Sequence, residues 1–384
     1  MKKFGKVAIV CDWLTEIGGA EQVLKAVHKM FPRAPIYTSQ YRPKRAGFRE
    51  ADVRTGWLNI LPAGWRRFMP FLRGFYFKHL DLSEYDFVIS VVNAEAKGVK
   101  TRAGAVHVAY LQGPPTQYYW GLYDQYLKNP GFGKLNFLAR FGLRVLVRPL
   151  RRADYKAAQK PDFLIANSNY VAEEVRKYYG REAVVVHPPV DVKKIFELVD
   201  AGGVVKKQTR AGSNGGRAGF VIAGRQVSWK RADLAMRACI ELNEPLLVIG
   251  DGPEHKKLVE LARGHENIRF LPKYNGVGEI VKYFRASEGF IFPSLEPFGI
   301  TPIEALATGL PVIALKKGGA LDFIRDGENG VFFDEQNEES LIKAIREFKK
   351  KKFDSRAVAE SAREFSRENF EKKFSDTLVK LTQK

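Results

Sequence analysis

Short β-rich apolar runs alternate with helical patterns from one end of the chain to the other, and this alternation restricts the fold more than any other feature. In the first half the runs fall at 6–11, 35–38, 86–92, 105–111, 162–166 and 183–187. In the second half they fall at 219–223, 245–249, 268–271, 289–292 and 311–314. Most are apolar throughout rather than alternating, as expected for strands covered by helices on both faces. Parallel sheets in α/β layers are therefore predicted. At 384 residues the chain exceeds what one ordinary core holds, so two domains are expected. The stretch 200–216 is rich in Gly and polar residues and lacks periodicity, which reads as a linker or mobile loop. The predicted division is 1–200, a linker over 201–216, and 217–363. The stretch 355–384 has a helical pattern, with Phe365, Phe370, Phe374 and Leu378 at spacings of 4–5 residues.

Several function classes are excluded or weakened at once. With 45% hydrophobic and 28% charged residues the chain reads as a water-soluble globular protein. No apolar run approaches the ~20 residues that span a bilayer. The opening residues lead straight into a strand without a signal-peptide pattern, so the cytoplasm is the expected compartment. Cys11 and Cys239 are the only cysteines, too few for a disulfide framework or a cysteine-based metal site. The net charge is +20, and residues 1–195 carry most of it, with 32 Lys/Arg against 16 Asp/Glu. A basic first half suits an anionic partner, such as nucleic acid, an acidic membrane surface or a phosphorylated substrate, or it serves solubility alone.

The most specific segment is Pro293-Ser-Leu-Glu-Pro-Phe-Gly-Ile-Thr-Pro-Ile-Glu-Ala-Leu-Ala-Thr-Gly-Leu-Pro-Val312. A strand ends before it and a helix is predicted within it, with Thr301 as N-cap, Pro302 at the first position and Glu304 closing a capping box. A helix N-terminus at the carboxyl end of a parallel strand favours phosphate. Glu296 and Glu304 are too separated for a close acid/base pair, but a hydroxyl-rich ligand could span them. Glu304 reads equally well as a helix cap. Upstream, Gly224-Arg-Gln-Val-Ser-Trp-Lys-Arg231 follows another strand. Arg225 and Lys230 there suit a diphosphate and the charge it gains on leaving, or are plain surface cations.

The ordered set Gly-Arg-x4-Lys-Arg, Val-Ile-Gly-Asp-Gly-Pro-Glu, Phe-Pro-Ser-x-Glu-Pro-Phe-Gly, Glu-Ala, Gly-x-Pro-Val-Ile-Ala and Gly-Gly-Ala resembles the retaining glycosyltransferases of family 4. It is especially similar to their lipopolysaccharide and lipid-linked mannosyltransferase branch. Gly18-Gly19-Ala20-Glu21, Asn167-Ser168 and His187-Pro-Pro-Val-Asp191 extend the match toward the N-terminus. The resemblance implies a GT-B fold, two Rossmann-like domains facing each other across a cleft, with the donor on the second and the acceptor on the first. It implies that Arg225 and Lys230 hold the diphosphate, Glu304 the ribose hydroxyls, and Glu296 the transferred sugar. The backbone around Phe298, Gly299 and Ile300 would contact sugar and phosphate, and Gly18 and Gly19 would let the first domain's loop approach the phosphates. It also implies that no metal or cofactor is needed, and that a final helix, 364–384, packs back on the first domain. The implied donor is a nucleotide sugar, GDP-mannose first and a UDP-sugar next, and the acceptor a lipid-linked glycan or polysaccharide.

The match departs at two places. Relatives often carry His where this chain has Gln112 in Tyr110-Leu-Gln-Gly-Pro-Pro-Thr-Gln-Tyr-Tyr-Trp120, and where it has Asn93. Gln and Asn orient a sugar but do not titrate near neutrality, so no His-dependent acceptor step is expected. Asn93, Gln112 and Tyr118 remain the acceptor-side candidates. Glu95 reads as a surface residue or a polar contact, and the aromatics from Tyr118 to Tyr126 as packing more than sugar stacking. Two basic-aromatic stretches, 65–78 and 132–156, read either as core-facing helices with a solvated basic face or as helices lying in an anionic membrane interface, a peripheral placement at the inner face of the cell membrane. Two other functions stay in view, another sugar-nucleotide reaction such as epimerisation and a basic nucleic-acid binder. The second is disfavoured because no recognised nucleic-acid motif is present.

Overall fold

The computed structural model describes residues 4–16, 18–62, 70–116, 119–121, 123–128, 136–201, 219–271 and 276–383. The chain divides into two compact units, residues 1–189 with 370–384, and residues 190–369. The expected linker, 201–216, lies almost wholly outside the described residues. The division falls earlier than the expected 200, because the helix Val192–Ala201 buries Val192 and Ile195 in the second unit's core. It falls later than the expected 364, because Phe365 belongs to that same core.

The first unit is a seven-stranded parallel sheet in the order β3-β2-β1-β4-β5-β6-β7. Its strands are β1 (Val7–Cys11), β2 (Ile36–Thr38), β3 (Val53–Thr55), β4 (Phe87–Val92), β5 (Val106–Leu111), β6 (Phe163–Ala166) and β7 (Val184–Val185). Side chains alternate between two apolar layers. Ala8, Val10, Val88 and Ala109 face one, while Ile9, Ile89, Val108 and Ile165 face the other. Phe370, Phe374 and Leu378, one face of the helix Arg367–Thr382, complete the second layer, with Phe370 and Phe374 against the ring of Tyr110.

The second unit is a six-stranded parallel sheet in the order β10-β9-β8-β11-β12-β13. Its strands are β8 (Phe220–Ala223), β9 (Leu246–Ile249), β10 (Ile268–Leu271), β11 (Gly289–Phe292), β12 (Val312–Leu315) and β13 (Gly330–Phe333). All eleven predicted runs are strands. Two edge strands, β3 and β13, escape the sequence reading. Val53-Arg-Thr55 is short and largely exposed, and β13 opens on a glycine.

In each sheet the strand order reverses once, between β1 and β4 and between β8 and β11. At such a point the loops leaving the two strands diverge to opposite faces and open a crevice at the carboxyl edge. Gly18, Asn93, Arg225, Lys230 and Glu296 lie on these loops, and Gln112 follows the neighbouring strand β5.

Candidate nucleotide-sugar site

In the second unit the turn after β8 carries Arg225 and Lys230. Gly224 takes φ +142°, which favours glycine, and starts the turn. The turn is held by backbone packed on backbone. A Cβ on Gly250 would lie 2.2 Å from the carbonyl oxygen of Gly224, and one on Gly252 would lie 2.3 Å from that of Gln226. The Gln226 amide donates to the Asp251 carbonyl at 2.9 Å, and its buried side chain donates to the Gly250 carbonyl at 2.6 Å. The Gly-Asp-Gly run read from sequence is therefore a brace for the cationic turn.

Arg225 is exposed, and its side chain has no hydrogen-bond or ion-pair partner among the described residues. Lys230 meets Glu296, Nζ to Oε1 at 2.8 Å, with both side chains only partly exposed. The buried Ser294 hydroxyl donates to the same Oε1 at 2.7 Å. Two predicted site residues from distant segments are thus brought into contact. Ser294, present in the motif but given no role, orients one of them.

The loop 293–299 is fixed from beneath. The Gly319 amide donates to the Glu296 carbonyl at 2.9 Å, and a Cβ on Gly319 would lie 2.2 Å from the Phe298 Cα. The Gln336 side chain donates to the Pro293 carbonyl at 2.8 Å. The Phe298 ring is buried against Phe323 and Phe365, so only its backbone is available to a ligand.

The helix after this loop runs Ile300–Ala307, with Gly299 at φ +126° as N-cap and no side-chain cap. The predicted capping box at Thr301–Glu304 does not form. Glycine's freedom at positive φ lets the chain enter the helix two residues early, which moves Glu304 past the position from which it could cap. The amides of the first turn are left for another acceptor. Burial pushes the Glu304 carboxyl up to about 7, and the charge of Asp191 adds to the rise.

In the first unit Gly18 precedes the helix Gly19–Met30, and its amide donates to the Glu21 carboxylate at 2.7 Å. Its backbone is extended, so glycine is not demanded by conformation there. A Cβ would only crowd the Glu21 carboxylate at 3.1 Å. After β4, Asn93 is exposed, and the carboxylate of buried Asp12 accepts from the amides of Asn93, Ala94 and Ala96 at 2.7–2.9 Å. After β5, the Gln112 carbonyl accepts from the Asn167 side chain at 2.7 Å. Asn93, Gly113, Thr116, Lys97 and Tyr179 line one small pocket, which brings the Asn93 and Gln112 loops together. Tyr118 lies outside the described residues.

Beneath that pocket the buried Asp154 carboxylate collects four donors, Lys97 at 2.7 Å, Thr116 at 2.9 Å, Trp120 at 2.8 Å and Tyr179 at 2.7 Å. Glu95 is not a surface residue. It lies beside Arg73 in a buried two-point ion pair at 2.8 and 3.0 Å, and desolvation raises its carboxyl despite that guanidinium. Tyr119 is buried and Trp120 packs on Tyr178, as the packing reading expects. His107 bonds the Ser90 hydroxyl at 2.7 Å, and burial pushes it down to about 3, so it stays neutral at physiological pH. Among the described residues no group of three or more His, Cys, Asp or Glu could hold a metal ion.

Residues 206–365 match the family model of glycosyl transferases group 1, somewhat less than half of the chain. A D-inositol 3-phosphate glycosyltransferase of Streptomyces bingchenggensis is 32% identical over 192 residues, 44% of this chain and 41% of that protein. The chain spans about half the length of the curated relatives it matches. Among solved structures, HepE of Anabaena in complex with UDP superposes with a TM-score of 0.64 at 18% identity, over 97% of this chain and 100% of that one. Sucrose-phosphate synthase of Thermosynechococcus elongatus gives 0.67 at 15% identity, over 98% and 99%. These likenesses establish the fold as α/β with two Rossmann-like domains of GT-B type.

Asp154→Ala would strand the buried Lys97 ammonium and is expected to cost about 3–5 kcal/mol, against a smaller loss for Asp154→Asn. Urea unfolding followed by tryptophan fluorescence measures both, and an unchanged midpoint for the alanine variant would remove Asp154 from its place as the organiser of this loop.

Proposed function

We propose that the chain is a metal-independent, retaining glycosyltransferase that moves a hexose from a nucleoside-diphosphate sugar to a lipid-linked or polysaccharide acceptor. The observation that carries this reading is the cation pair at the β8/β11 crevice, with the Arg225 side chain exposed and unpaired among the described residues and Lys230 held by Glu296, beside uncapped helix amides. The glycosyl transferases group 1 match over 206–365 supports it.

In this reading the diphosphate sits against Arg225, Lys230 and the amides of Ile300 and Thr301. These positive groups stabilise the charge that grows on the leaving phosphate. As the diphosphate takes Lys230, Glu296 is released toward the sugar hydroxyls while Ser294 keeps it oriented. The acceptor oxygen bonds C1 on the face from which the phosphate departs. The C1–phosphate oxygen bond breaks, and the departing oxygen takes the acceptor proton. No protein base is required, which suits Asn93 and Gln112 as neutral positioning groups. GDP-mannose is the donor we propose first. A UDP-sugar is the competing choice, since HepE is held with UDP.

Four tests follow from these assignments. In a thermal-shift panel of GDP-, UDP- and ADP-sugars, at least one donor stabilises the wild type, and the absence of any response overturns the reading. With that donor, Arg225→Ala or Lys230→Ala each lowers kcat/KM by about 10²–10³-fold. Chelation with EDTA leaves transfer unchanged, and inhibition reversed by a divalent ion would refute metal independence.

Glu304 supplies the pH test. Its carboxyl is raised from 4.5 to about 7, so the stability that the neutral form contributes is complete below 4.5 and is lost as pH rises through about 7. Ribose hydroxyls donate to the carboxylate, so nucleotide binding releases a proton near neutrality and tightens between about pH 6 and 8. Glu304→Gln flattens that profile in calorimetric titrations, and a slope that survives the substitution assigns the proton elsewhere.

A further inference from the structure

The helix Asn136–Ala158 is buried along one half only. Val147, Leu150, Asp154 and Ala158 are its buried residues, and none of residues 136–146 is buried among the described residues. The exposed half is not polar. Phe137 is 66% exposed, Leu138 53%, Phe141 69% and Val145 56%. Phe137, Phe141 and Val145 follow i, i+4, i+8 spacing and form one stripe. Each is followed three residues later by an arginine on the adjacent row, Arg140, Arg144 and Arg148, and Arg152 continues that row. All four are exposed.

From Asp124 to Asp154 the sequence holds no carboxylate between those two, while seven Lys or Arg occur. An exposed aromatic stripe edged by cations, in a stretch of sequence without carboxylates, fits a surface that is apolar below and anionic above. A second copy of the chain does not fit, because apposed faces would bring two arginine rows together. The helix Pro70–His79 packs on the same short turn, Glu95–Gly98, and also exposes Phe71, Leu72 and Phe75. No helix among the described residues is long and apolar enough to cross a membrane, so a surface placement is the fitting one.

We infer that the N-terminal half of the helix Asn136–Ala158 is a docking face for an anionic lipid bilayer. Phe137, Leu138, Phe141 and Val145 enter the interface, and Arg144, Arg148 and Arg152 pair with headgroup phosphates. The stripe from Phe137 to Val145 covers roughly 12 Å at 1.5 Å per residue, enough for a helix lying flat and far short of a bilayer. This face is assigned without reference to the sugar chemistry, and its test needs no donor or acceptor.

The experiment is co-sedimentation of the full chain with phosphatidylglycerol/phosphatidylcholine vesicles and with pure phosphatidylcholine vesicles. The wild type is expected to bind the mixed vesicles at least about tenfold more tightly and to be released by salt. Phe137→Ser with Phe141→Ser is expected to weaken binding by about tenfold or more. Arg144→Gln with Arg148→Gln should abolish the preference for anionic lipid. Circular dichroism of both variants, matching wild type, separates this loss from unfolding. Wild-type capture by both double variants, equal capture by neutral vesicles, or binding of duplex DNA that persists without the two phenylalanines and excludes vesicles would each overturn the assignment. The donor panel can fail while vesicle binding holds, and the reverse, so the two readings stand or fall apart.

Discussion

Close approach of main chain to main chain at the carboxyl edge of the second sheet governs the rest of that unit. Gly250 and Gly252 lie against the carbonyls of Gly224 and Gln226, and Gly319 lies against the Phe298 backbone. A methyl at any of these positions would lie at 2.2 or 2.3 Å from main-chain atoms, which would have to move. The consequence is positional. The turn bearing Arg225 and Lys230 and the loop bearing Glu296 are each locked to a neighbouring turn, so their charges are placed before any ligand arrives. Such preorganisation makes fixed charges effective at a reaction centre, because little reorganisation is left for the moment of bond breaking.

The Lys230–Glu296 pair belongs to the same logic. With both groups partly exposed, its net contribution to stability is on the order of 1 kcal/mol or less. Its value in the proposed chemistry is that each partner keeps the other in place until a more highly charged group competes for the ammonium. The two donors on Glu296 Oε1 matter here. Losing Lys230 to a diphosphate leaves the Ser294 bond intact, so the carboxylate stays aimed while its charge becomes available. Glu304 contrasts with it. Set in a poorly solvated spot with the charge of Asp191 nearby, it favours the neutral acid and gains from a ligand that donates hydrogen bonds.

How far the sequence carried the interpretation differs by layer. The parallel strands were legible because most central strands are largely apolar runs, and the edge strands β3 and β13 were not because edges carry weaker signals. Local pattern misled at Thr301–Glu304, where a sound capping box lost to the backbone freedom of Gly299. What no pattern could show is a buried carboxylate whose donors come from remote segments. Asp12 collects amides more than eighty residues away, and Asp154 draws on Lys97, Thr116, Trp120 and Tyr179. Both organise the loops that bear Asn93 and Gln112, and neither stands out in sequence. The motif residues of the second unit were easier to find, since Arg225, Lys230 and Glu296 sit in short runs of unusual composition.

The basic excess of the first half becomes intelligible only when its cations are sorted by what they meet. Arg73 and Lys97 are buried against carboxylates, Arg151 lies over the rings of Trp120 and Tyr123, and Arg181 donates to the carbonyls of residues 158, 161 and 162. These cations organise the fold, and the charges of Arg73 and Lys97 are offset by their carboxylates. Arg144, Arg148 and Arg152 sit exposed on one helix with phenylalanines beside them. A charge kept for solubility would gain nothing from exposed Phe137 and Phe141, since such rings oppose solubility. Cation and aromatic together are favourable only where the same surface offers negative charge and an apolar medium within one side-chain length. That pairing, rather than the net charge, separates a docking face from a merely basic domain.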